Sequence, residues 1–210
     1  MFNRIAPLAC LAAFALPALA GNTPGIKNFD RVDEHVYRGA QPTPEGFRYL
    51  AGIGVRTVID LRETGARARA EQRLVTQLGM TYLNVPMTGL AAPTETELLK
   101  ILPVLENSSP HAVYVHCWRG ADRTGAVIAA YHIDHDHWEN ARALRDAKAH
   151  NMGFFQIPRE EFIKHFRPRI EANKVTDTGG PVATPIAGTS AAIRDSAQPH
   201  IAPEGSRSAR

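Results

Sequence analysis

The 210-residue chain carries 24 Lys and Arg against 21 Asp and Glu, a formal charge of +3. That excess is mild, and aromatic residues nowhere interleave with a basic stripe, which argues against a nucleic-acid ligand. Roughly 150 residues lie between an apolar start and a low-complexity end, room for one ordinary domain with a real core.

The first segment reads MFNRIAPLACLAAFALPALA. A basic Arg4, an apolar stretch from Ile5 to Leu19 and the small-x-small end Ala18-Leu19-Ala20 predict a secretory signal peptide over residues 1–20. The mature chain is then expected in the periplasm or outside the cell. Pro7 and Pro17 interrupt a stretch already short for a membrane span, so no stable span is expected after cleavage; an uncleaved apolar anchor is the alternative. Cleavage removes Cys10 and leaves Cys117 alone, so no disulfide can form within the mature chain. A lone thiol in an oxidising compartment fits a chemical use.

Residues 21–170 alternate in type. Glu34–Arg38 and Arg56–Leu61 read as strands, and between them Thr43 caps a helix that has Pro44 at its first position and ends near Gly52–Gly54. Thr64 is expected to start the next helix, with Ala70, Leu74, Val75 and Leu78 on one face and Gly79 at its end. Thr81–Val85 is a third strand. Thr94 with Glu97 forms a capping box opening a helix through Leu98, Leu102 and Leu105, in which Pro103 is expected to introduce a kink. His111–Val115 reads as a buried strand, and after a short loop Ala126–Tyr131 is apolar enough for a buried helix, with more helix to Arg167. The pattern predicts a single α/β domain with a mostly parallel central sheet flanked by helices. From Glu171 to Arg210 the chain is rich in Ala, Gly, Pro, Ser and Thr and lacks aromatics, which predicts a disordered tail.

The loop between the last strand and its helix reads HCWRGADRTG, residues 116–125. Strand, tight loop and helix start aim successive backbone N–H groups at one anion. Cys117 at the head of such a loop is favoured as a thiolate, and Arg123 at its end can offer a planar fork to two oxygens of an oxyanion. The arrangement suits phosphate-ester cleavage through a phosphocysteine.

These ten residues resemble the active-site loop of cysteine-dependent protein tyrosine and dual-specificity phosphatases. The likeness runs from about Val36 to Phe166, and Tyr37–Glu63 resembles the opening of the small exported bacterial group of such enzymes. The resemblance implies Cys117 as nucleophile, Arg123 as phosphate clamp, Thr124 as hydrogen-bond donor to the sulfur and His116 as a brace of the loop. Trp118, Arg119, Gly120, Ala121 and Thr124 would surround the phosphate, with Trp118 as a wall of the cleft and Arg119 as a second cation, or both packed away from the substrate. No cofactor and no metal are implied. Phosphorylated proteins, small molecules or lipid head groups are the expected partners.

The general acid is the departure from the family. Met87–Glu97, where such enzymes place an aspartate, has only Glu95 and Glu97, both explained as first-turn helix residues. Asp122 is nearer; some bacterial and myotubularin-like phosphatases carry an aspartate there, and its alternative is to pair with Arg123 or cap the helix. Asp60 either orients Arg123 or a water, or forms an ordinary end-of-strand ion pair with Arg62. The run His132–Trp138 brings no three ligands to one helix face, so it reads as a solvated helix end rather than a metal site. Arg142, Arg145, Asp146 and Lys148 read as a solvated face. Three functional classes remain open: a protein tyrosine or dual-specificity phosphatase (or its inositol phosphate and phosphoinositide variant), a catalytically silent phosphate-binding module, and a rhodanese-like sulfurtransferase.

Overall fold

A computed structural model describes residues 23–108 and 110–169. The expected signal peptide and the tail lie outside these residues. The elements are β1 (Asp30–Arg31), β2 (Val36–Ala40), α1 (Pro44–Gly52), β3 (Val55–Asp60), α2 (Ala66–Gln77), β4 (Thr81–Asn84), α3 (Glu95–Glu106), β5 (Ala112–Cys117), α4 (Asp122–Asp134), α5 (Asn140–Ala149) and α6 (Ile157–His165). The sheet order is β1-β2-β5-β3-β4, with β1 alone antiparallel. This is the α/β architecture the alternation predicts.

The central strand β5 is buried along its whole length. Its alternation serves two cores. Val113, Val115 and Cys117 join the cluster with Ile101, Leu102, Leu105 and Ile128 from α3 and α4. Ala112 and Tyr114 join Phe47, Leu50 and Val75 from α1 and α2. Each such fully buried Leu, Ile or Phe contributes about 1.5–3 kcal/mol. A third cluster, with Ala129, Ala143 and Ile163, seats α5 and α6 against α4. Parallel register sets Asp60 of β3 and Gly39 of β2 opposite His116, so three strand ends meet at the loop after β5.

The Thr43 and Thr94 caps form as expected, the latter a complete capping box. Pro103 does not end α3, which runs on to Glu106 with Leu102 and Leu105 fully buried. Four details differ. The strand β2 lies two residues later than Glu34–Arg38, held by its parallel pairing with β5. The helix α2 begins at Ala66 after Gly65, so Thr64 is not its cap. Its buried face is Ala68, Glu71 and Val75, and Ala70 points outward, because a charged residue has a partner inside. Asp146 is not simply solvated: it pairs with the buried Arg38 at 3.3 Å. Among the described residues no helix is long and apolar enough to cross a membrane.

Candidate active site

The loop after β5 is shaped by what its carbonyl groups touch. Trp118 O accepts from Gln41 N at 3.3 Å. Gly120 O accepts from Asn28 Nδ2 at 3.0 Å and from Arg38 Nη2 at 3.3 Å. With these carbonyls tied outward, the N–H groups of Gly120 and Thr124 turn toward the Cys117 sulfur. Gly120 has φ +69°, and a Cβ there would lie 2.2 Å from the carbonyl carbon of Gly39. Any side chain must therefore push β2 away from the loop. Gly120→Ala is expected to lower the melting temperature by several degrees and to cost far more in oxyanion affinity, as followed by thermal shift with and without vanadate.

Cys117 is 2% exposed. Burial alone pushes its thiol pKa up, but the Thr124 hydroxyl and N–H, the Arg123 charge and the Gly120 N–H outweigh it, and the net shift is downward. Thr124 Oγ1 is fully buried and has no conventional hydrogen-bond partner, which leaves it free for an ionised sulfur. Arg123 Nη1 donates to Leu61 O at 3.3 Å and Met87 O at 3.2 Å, and lies 3.6 Å from Glu63 Oε2. Arg123 is thus held at the ends of two strands, beside the sulfur.

Behind the loop lies a buried charge network. His116 Nε2 meets Glu71 Oε1 at 2.8 Å, and Nδ1 faces the Cys117 carbonyl at 3.2 Å. Burial would push the imidazole pKa down; Glu71 and then Asp60 reverse this and raise it. Arg62 donates to Asp60 Oδ2 and to Glu71 Oε2, both at 2.6 Å, and Tyr82 donates to Asp60 at 2.7 Å. Burial would raise the Asp60 pKa, but the Arg62 and Tyr82 hydrogen bonds and His116 hold it low. Two carboxylates thus face two cations, and the network is neutral with His116 protonated. Asp60 forms the ion pair with Arg62 and does not reach Arg123, whose own bonds run to Leu61 and Met87. Asp60, Glu71 and His116 are the one grouping among the described residues close enough to hold a metal ion, but the Arg62 guanidinium already bridges both carboxylates.

The remaining candidates separate. Trp118 is 53% exposed and walls a cleft of about 210 Å³ together with Arg62, Glu63, Arg67 and Arg123, with Arg67 lying over its ring. Arg119 points to solvent and pairs with Asp122 Oδ2 at 2.7 Å. Asp122, the first residue of α4, also accepts from Gly153 N at 2.9 Å through Oδ1, and so pairs with Arg119 rather than Arg123. Ala121, 2% exposed, gives no side-chain cap to α4. In the histidine run, His132 is buried rather than solvated, stacked on Trp138 at 3.7 Å and bonded to Asp136 at 2.6 Å; Arg142 covers the other face of Trp138.

The matching family model is described as a dual-specificity, protein-tyrosine-type phosphatase fused to NAD+ kinase, and it covers residues 20–165. The chain belongs to this phosphatase family. Inositol diphosphatase DSP3 of Arabidopsis thaliana is 30% identical over 107 residues, 48% of this chain and 51% of that protein. The dual-specificity phosphatase TpbA of Pseudomonas aeruginosa is 27% identical over 149 residues, 68% and 63% of the two chains. The catalytic core of the Saccharomyces cerevisiae PP-IP phosphatase Siw14 superposes with a TM-score of 0.63 at 19% identity, covering 73% of this chain and 93% of that one, a likeness of fold. This chain spans about half the length of DSP3 and DSP5 and 13% of a rice NAD kinase it also matches.

Sequence reasoning misses Glu71, Arg38, Asn28 and Glu63. The first was legible only as a charge in the apolar phase of α2; the others carry no local signal.

Proposed function

We propose that this chain hydrolyses phosphate monoesters through a phosphocysteine, as an exported bacterial protein tyrosine or dual-specificity phosphatase. One observation carries the reading: a buried cysteine whose pKa is lowered by Thr124, Arg123 and Gly120 at the head of an N–H cradle. In the first half-reaction Cys117 Sγ attacks phosphorus, the bond to the leaving oxygen breaks, and Arg123 turns its fork to the equatorial oxygens. Asp122 gives the leaving oxygen its proton. In the second, water attacks the thiophosphate, its proton returns to Asp122, and Cys117 leaves as thiolate, stabilised by the Thr124 hydroxyl. His116, fixed by Glu71, braces the strand end.

A phosphotyrosine ring suits the Trp118 wall; the cations Arg62, Arg67 and Arg123 also suit a multiply phosphorylated inositol. The name of the plant relative, an inositol diphosphatase, favours the latter, and that of TpbA the former. The signal-like residues 1–20 support export, and their removal would leave Cys117 the one cysteine of the mature chain. Turnover of p-nitrophenyl phosphate without thiosulfate sulfurtransfer is expected. With phosphotyrosyl peptides and inositol diphosphates as rival substrates, kcat/KM is expected to favour the peptides at least tenfold. The reverse order would reassign the enzyme to inositol phosphates, and sulfurtransfer alone would remove the phosphatase reading.

A further inference from the structure

Arg159 on α6 is 1% exposed, yet no carboxylate among the described residues lies within ion-pair distance of its guanidinium. Its Nη1 donates to Gln156 Oε1, its Nη2 donates to Gly89 O at 2.9 Å, and its Nε has no partner. A buried cation without a counter-ion is costly, so folds rarely keep one without use. Burial, and then the nearby Arg123 charge, lower its pKa, while Asp122 and Cys117 pull the other way. Arg159 therefore stands in the field of the phosphate site.

Two guanidinium groups from different helices hold one stretch of backbone. Arg123, at the start of α4, donates to Met87 O, and Arg159, on α6, donates to Gly89 O. This stretch follows β4 and presents Leu90, 50% exposed. Arg123 makes both carbonyl bonds through Nη1, which leaves Nε and Nη2 as a fork for the phosphate, aimed by the backbone that Nη1 holds. The bound dianion would also supply the counter-charge that Arg159 lacks.

We infer that Arg159 is the positioning residue of the Met87–Ala92 loop: by holding Gly89 O it fixes the stretch whose Met87 carbonyl seats Arg123 for the phosphate. This rests on the phosphatase reading above. Arg159 need not touch substrate; it fixes the backbone against which the Arg123 fork is aimed.

The test compares wild type with R159M, close in length but uncharged, and R159K. The readouts are kcat and KM for p-nitrophenyl phosphate, melting temperature, and hydrogen exchange of amides 88–91 with and without vanadate. R159M is expected to keep or raise the melting temperature, because an unpaired buried charge is gone. With vanadate bound, amides 88–91 are expected to exchange about tenfold faster than in wild type. A kcat lower by about tenfold or more, with KM within about threefold, marks positioning rather than binding. R159K should fall between, since one ammonium cannot bridge Gln156 and Gly89; it carries the test if R159M does not fold. Wild-type exchange and kcat in the variants overturn the inference. So does faster exchange spread evenly over β5, α3 and α4 with a lower melting temperature, the sign of a merely structural residue. A wild-type chain that neither binds vanadate nor turns over p-nitrophenyl phosphate removes the phosphatase reading itself and this inference with it.

Discussion

Cys117→Ser is expected to abolish turnover while oxyanion binding survives. The donors that depress the thiol pKa, namely Thr124, Arg123 and the Gly120 N–H, remain in place. They act on a thiol, whose ordinary pKa is about 8.5; a serine hydroxyl lies far above that range and stays protonated. Residual activity below about 1% of wild type, a loss above about 2.7 kcal/mol in transition-state stabilisation, is the expected result. Vanadate should still raise the melting temperature of the variant. In the wild-type chain, iodoacetamide labelling supplies the pH dependence. The thiol pKa is lowered, so labelling should reach half its maximal rate below the pH of an ordinary thiol, falling at more acid pH and levelling above. Thr124→Val removes a principal stabiliser of the thiolate and should move that midpoint back up. A midpoint at the ordinary thiol value in the wild-type chain, or activity retained by Cys117→Ser, would contradict covalent catalysis by this sulfur.

The loop of residues 116–125 was legible because its chemistry is local. Cys117, Gly120, Arg123 and Thr124 sit within one turn of chain, and the apolar strand and helix on either side fix where it lies. The caps at Thr43 and Thr94 were legible for the same reason: each depends on residues three apart. What supports the loop was not. Asn28 and Arg38 bind Gly120 O across 92 and 82 residues of sequence, and Glu71 reaches His116 across 45. Such contacts follow from strand order, which periodicity does not give. Glu71 and Asp146 also mislead any reading in which charge means solvent. Each is drawn inward by a cation or imidazole that the apolar pattern could not reveal. Asp60 was legible at the strand end beside the loop, and of its two readings the ion pair with Arg62, two residues on, is the one that forms; its burial with Glu71, Tyr82 and His116 was not legible. Arg159 is the extreme case, a buried charge whose purpose depends on a loop 70 residues earlier.

Asp122→Asn is expected to divide substrates by leaving group. Both carboxylate oxygens have donors: Gly153 N on Oδ1 and Arg119 Nη2 on Oδ2. The Gly153 contact orients the group. The Arg119 guanidinium of this pair is half exposed, so releasing Oδ2 costs about 1 kcal/mol. General-acid assistance is worth about 10²–10⁴-fold, roughly 3–5 kcal/mol, and that gain outweighs the pair. The other carboxylates are less suited. Glu97 is committed to the Thr94 cap, Asp60 is buried against Arg62 and Tyr82, and Glu63 sits 3.6 Å from the Arg123 fork, on the side that grips phosphate. With phenyl phosphate, whose leaving oxygen needs a proton, Asp122→Asn should lower kcat by about 10²–10⁴-fold and flatten the alkaline limb of the pH–rate profile. With p-nitrophenyl phosphate the loss should stay below about tenfold, since that oxygen departs unprotonated. Equal losses on both substrates with an unchanged pH profile would make Asp122 only the anchor of Gly153 and Arg119. Parallel measurement of Glu63→Gln would then show whether the proton comes from the loop after β3.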